Sequence, residues 1–119
     1  MLEKERFIKI IEQIRLLFVK EDAFNDALDE YDPDSYHCFL PSHKMFDEVA
    51  APLLVDAIGL DSNNEDDMEL FYWWLYDTEF GTKQALVTET LSDGTEKEYN
   101  LKDAAAFWDY VANLVGSRK

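Results

Sequence analysis

Along residues 2–20, Phe7, Ile10, Ile11, Ile14, Leu17 and Phe18 recur every three or four positions. That spacing predicts an amphipathic helix, with its Lys and Arg on the outer face. A second apolar set, Ala23, Phe24, Ala27, Leu28 and Tyr31, keeps the helical interval. Either one long helix bends near residues 20–22 or a short second helix begins there. Asp32-Pro33-Asp34-Ser35 then reads as a turn, because proline drives the residue before it out of helical geometry. Ser42 is a suitable N-cap for a further helix that ends at Gly59, with Asp47 and Glu48 near its positive end. Pro52 falls inside that pattern and predicts a kink or a break into two short helices.

DSNNEDD, residues 61–67, reads as a loop leading into the next helix. Asn63 or Asn64 serves as cap, and Glu65, Asp66 and Asp67 stabilise the first turn. The run LFYWWL follows at residues 70–75. Its apolar content allows a buried strand, but the acidic lead-in favours a helix ending at Gly81. Met68, Phe71, Trp74 and Leu75 share one helical face, and Tyr72 and Tyr76 form a second stripe. Residues 85–91 and 96–101 alternate around SDGT, where Asp93-Gly94 signals a hairpin. Asp103 caps a last helix that Gly116 closes, with Phe107, Tyr110, Val111 and Leu114 inward.

These elements predict an α+β fold: a mostly helical single domain, residues 1–119, with one β-hairpin at about 85–101. A lone hairpin is marginal in water and must lean on helices. Phe71, Trp74 and Leu75 are therefore expected to pack against the hairpin, the first helix and Trp108. Six consecutive apolar residues cannot all point inward from one helix, so Tyr72, Trp73 and Tyr76 are expected to be partly exposed beside acids.

Charge sharpens the picture. The net charge is −15, and its placement is uneven. Residues 1–20 balance at +2 and residues 83–119 at −1, whereas residues 21–82 hold seventeen acids and one base, Lys44. Such a field repels nucleic acid and anionic membranes and attracts basic surfaces. No apolar run approaches the length of about eighteen residues that a membrane span needs. The charged, amphipathic N-terminus lacks a signal-peptide core, and the single cysteine, Cys38, cannot form an internal disulfide. The expected location is cytoplasmic.

Candidate chemistry is thin. Asp61, Asn63 and Glu65 match the first calcium-loop positions, but Asp66 and Tyr72 stand where glycine and glutamate are required. His37, Cys38 and His43 are too few for a structural zinc site. A Cys38–His43 nucleophilic pair would lack an orienting group and an oxyanion site. There is no glycine-rich phosphate loop. Neither an enzyme, a metal nor a cofactor is expected.

Trp74-Leu75-Tyr76-Asp77 followed by Phe80-Gly81, a hairpin, Leu101 and the helix Phe107-Trp108-Asp109-Tyr110-Val111 together resemble a known pattern. It is that of small uncharacterised proteins of phages, prophages and other mobile elements of Firmicutes, approximately W-x-x-Y-(D/E)-x-x-F-G and L-Y-D-Y-L. The likeness covers roughly residues 55–115, with Phe107 and Trp108 standing where Leu and Tyr are the pattern. It implies context more than chemistry. Small acidic phage proteins often occupy the basic nucleic-acid groove of a host defence enzyme, as anti-restriction and anti-CRISPR proteins do.

Two functions follow. One is an acidic inhibitor that presents phosphate-like carboxylates to a basic host protein. Its contacts would be Asp61, Glu65, Asp66, Asp67, Glu69, Asp77 and Glu79 beside Tyr72, Trp73 and Tyr76. A second group is Asp26, Asp29, Glu30, Asp32 and Asp34. The other is an accessory interaction or assembly module whose acidity confers only solubility.

Overall fold

The computed structural model describes residues 1–31 and 46–118, except the side chain of Asp29. Helix α1 (Lys4–Tyr31) is continuous; residues 20–22 contain neither proline nor glycine to break it. Phe7, Ile11 and Phe18 are its buried side chains. Leu17, expected inside, is exposed, because it sits roughly a quarter-turn around the helix from Phe18. Of the second apolar set, Leu28 is half-buried, whereas Phe24 and Tyr31 are exposed.

The expected Asp32–Ser35 turn and the Ser42 cap lie outside the described residues. A π-helical turn, π1 (Phe46–Ala50), gives way directly to α2 (Ala51–Ala57). Pro52 stands in the first turn of α2, where it has no N–H to give to the turn before it. The expected break is thus a change of helix type. Gly59, at φ +93°, turns the chain after α2. Helix α3 (Glu65–Tyr72) then continues into a second π-helical turn, π2 (Trp73–Asp77).

Strands β1 (Leu86–Thr90) and β2 (Glu96–Asn100) pair antiparallel, with Leu86 opposite Asn100 and Thr90 opposite Glu96. The turn between them is closed by Asp93 Oδ1, which accepts from the Thr95 N–H and hydroxyl. Helix α4 (Ala104–Ser117) begins where the Asp103 carboxylate accepts from the Ala106 N–H. Gly116 does not close it, since the helix continues through Ser117.

The core is a chain of rings. Phe107 stacks on Trp74 at 4.5 Å and on Phe7 at 6.0 Å, and it meets Phe71 at 6.0 Å. Phe46 links Phe71 to Phe18. Trp74 Nε1 donates to the Leu101 carbonyl at 2.8 Å. This bond satisfies a buried polar atom and ties the end of the hairpin to the aromatic segment. Trp108 is not a full core member: it is half-buried and donates to the Leu2 carbonyl, pinning the N-terminus to α4.

Candidate binding surface

Asn64 starts the site. Its backbone is extended, and its side-chain oxygen accepts from the Asp66 and Asp67 N–H groups. With donors of the first turn satisfied and three acids at the positive helix end, α3 forms just before the aromatic run. Helical spacing then places Asp66, Glu69, Leu70 and Trp73 along one stripe. Opposite it stand Leu86 and Val87 of β1, and together these six residues line a shallow groove of roughly 400 Å³. Asp66 and Glu69 are exposed, while Leu70, Trp73 and Val87 are half-buried. The groove pairs an apolar floor with an anionic rim and has no cation among its lining residues.

Asp67 departs from the expected acidic surface. It is 2% exposed, and Arg118 grips it in a fork, Nη2 to Oδ1 at 2.7 Å and Nη1 to Oδ2 at 2.8 Å. Oδ2 also accepts the Asp61 N–H at 2.8 Å. The hydrogen bonds from Arg118, joined by that from Asp61 and opposed by burial, hold its carboxyl below the usual carboxylate range. Asp67 is a structural clasp between the start of α3 and the end of α4, with no lone pair turned to solvent for a partner.

The aromatic residues also divide. Phe71, Trp74 and Leu75 are buried, as expected. Trp73 faces the groove. Tyr72 and Tyr76 stack on each other at 6.0 Å on another side of the segment. The Tyr72 hydroxyl donates to the Asp47 carbonyl and the Tyr76 hydroxyl to its carboxylate, at 2.9 Å and 2.6 Å. Burial, with Asp47 adding to it, raises both phenol pKa values. These tyrosines fasten π1 to the end of α3 and to π2, and do not join the Trp73 groove.

Of the other expected acids, Asp61, Glu65, Asp77 and Glu79 are exposed around this region. Asp61 Oδ1 already accepts the Asn63 N–H, and Glu79 pairs with Lys83 at 2.9 Å. Asp26 and Glu30 are exposed near the far end of α1. Asp32, Asp34 and the Asp29 side chain lie outside the described residues. The structure therefore assembles Asp66, Glu69 and Trp73 and leaves the rest apart.

Leu70, Leu86 and Val87 were missed as site residues. Leu70 has one sequence signal, the i, i+3, i+4, i+7 series from Asp66, and Leu86 and Val87 have none, since the approach of β1 is tertiary. Asp47 and Asp56 were also missed; Asp56 accepts from both the Ser62 N–H and its hydroxyl. Neither signals itself in a chain so rich in acids.

A second depression of about 510 Å³ lies between α1 and π2 with the turn that follows it. Phe18, Leu75 and Phe80 form its floor, with Arg15, Asp22 and Glu79 at its edge. Among the described residues no cluster of three or more His, Cys, Asp or Glu is arranged to hold a metal ion. No described helix is long and apolar enough to cross a membrane. Comparison with protein-family models, curated proteins and solved structures finds no match for this chain.

Proposed function

We propose that this is a non-enzymatic acidic binding protein that occupies the basic face of a nucleic-acid-binding protein, acting as its inhibitor. The supporting observation is the groove of α3 and β1, where exposed Asp66 and Glu69 flank half-buried Trp73. A Lys or Arg side chain suits that geometry. Its charge meets two carboxylates, while its aliphatic stem or guanidinium plane lies against indole and aliphatic carbon. Carboxylates on one rigid helix replace phosphates along a backbone, and the −16 balance of residues 21–82 steers the approach. The phage-like pattern supplies a context for this reading: a host defence enzyme as target.

The test begins with capture from host lysate at low and high salt, followed by titration of the recovered partner. Asp66→Lys with Glu69→Lys should abolish binding, and Trp73→Ala should weaken it by roughly 2 kcal/mol, a typical aromatic anchor. Glu96→Lys with Glu98→Lys, on β2 away from the groove, should change little. Binding should also compete with DNA or RNA and fall steeply with salt. Binding indifferent to salt and to both groove reversals would overturn the proposal and leave an assembly module.

A further inference from the structure

Helix α1 carries large apolar side chains at intervals of seven: Ile10, Leu17, Phe24 and Tyr31. Such a row drifts only about 20° per step, so it stays on one side of the helix throughout. Ile14, Glu21 and Leu28 precede Leu17, Phe24 and Tyr31 by three residues, giving the three-four alternation of a coiled-coil seam with one polar member, whereas Phe7, which precedes Ile10, is turned into the body. The body covers one end of the row and not the other. Ile10 is half-buried, Leu17 is 47% exposed, Phe24 64% and Tyr31 89%.

The charges along α1 are as segregated as its exposure. Residues 4–20 hold five bases against two acids, and residues 21–31 hold five acids and no base. The acidic end is also the negative end of the helix dipole, with no base in the last turn to offset it. What offsets such an end is the basic, opposite end of another helix. A second α1 provides one.

We propose that this row is the docking surface for a second copy of the chain, the two α1 helices running antiparallel about a dyad near residues 18–19. Arg6 and Lys9 of each copy then lie beside Asp26 and Glu30 of the other, and the helix dipoles oppose. A parallel pair would set base on base and acid on acid, so charge selects the direction. The body packs on the Phe7, Ile11 and Phe18 side of α1, about a quarter-turn from the row, so the dyad sets the two bodies on one side of the paired helices, at opposite ends. The row from Ile10 to Tyr31 is about 32 Å long. It is independent of the α3 groove, which stays open in the dimer.

Sedimentation equilibrium at low salt tests this, with concentration taken up to roughly 0.1 mM. The expected mass is twice 13.9 kDa. Phe24→Asp alters a side chain outside the body, so circular dichroism should be retained while the dimer weakens by roughly tenfold or more. Arg6→Glu alone and Glu30→Lys alone should each weaken it, and the combined variant should recover it. A 13.9 kDa species at every concentration overturns the proposal. So does a dimer that survives Phe24→Asp, or a combined variant no tighter than either single one.

Discussion

Asp67 and Asp66 are neighbours in the chain with opposite fates, and the difference is one arginine fifty-one residues away. Removing the carboxylate leaves Arg118 and the Asp61 N–H without their acceptor. Asp67→Ala should therefore cost about 2–4 kcal/mol, moderated because Arg118 itself is half-exposed and water can replace part of the fork. The folded-state pKa of Asp67 is depressed, so its contribution is present above the unfolded value of about 3.9 and is lost as pH falls through the folded one. Below about pH 4 the wild type should lose this increment, whereas Asp67→Asn has none to lose. Urea midpoints of the two against pH should converge on the acid side; parallel curves would place the clasp elsewhere. Trp73 and Trp74 make a second such pair. Trp74→Ala should cost about 3–5 kcal/mol, since it removes the ring on Phe107 and strands the Leu101 carbonyl. Trp73→Ala should cost about 1–2 kcal/mol, since its ring is only partly buried. Equal losses in thermal or urea unfolding would contradict the two placements.

At the scale of elements, the turn after π2 determines how the aromatic segment meets the hairpin. Glu79, Phe80 and Gly81 all have positive φ, at +48°, +61° and +86°. For two of them a side chain makes that conformation costly, by about 1–2 kcal/mol each. The turn is held by Thr78, whose buried hydroxyl donates to the Trp74 carbonyl and accepts the Gly81 N–H. A Cβ on Gly81 would stand 2.2 Å from the Leu101 carbonyl oxygen, the same atom that Trp74 uses. Gly81→Ala should thus cost about 2–4 kcal/mol, from overpacking and strain together. Thermal unfolding alongside Gly94→Ala separates the two terms. Gly94 has a similar φ with open space around it, so its alanine variant shows strain alone.

The sequence made Gly81 legible as an end of helix, but not Leu101 as its neighbour, because that approach is tertiary. Local signals fared best: the Asp103 cap, a cap at Asn63 or Asn64, the Asp93-Gly94 hairpin and the inward set Phe71, Trp74 and Leu75 could all be read within a few residues. Pairings over long separations could not. Hence Asp67 reads as a surface acid, Leu17 as core, and Tyr72 and Tyr76 as contacts alongside Trp73, which is the one aromatic of the three in the groove.

For the whole molecule, shape and charge act together. The radius of gyration is 16.7 Å, against about 13.5 Å for a compact chain of this length. The long axis of 59 Å fits a helix of about 42 Å whose described side chains are not buried beyond Phe18. Elongation spreads the −15 charge, yet the crowding of residues 21–82 keeps many acids within a Debye length of one another. Their mutual repulsion destabilises the folded state more than the expanded one. Raising sodium chloride from about 20 mM to about 300 mM should therefore stabilise the fold by about 1 kcal/mol, or roughly 4–6 °C in Tm. Calorimetry at constant pH measures it, and a flat response would mean the acids stand too far apart to interact. Partner binding through Asp66 and Glu69 should respond to the same salt with the opposite sign, because screening removes attraction between molecules as it removes repulsion within one. A binding signal that fades over the range where Tm rises therefore reports electrostatic recognition by a folded protein, and unfolding cannot account for it.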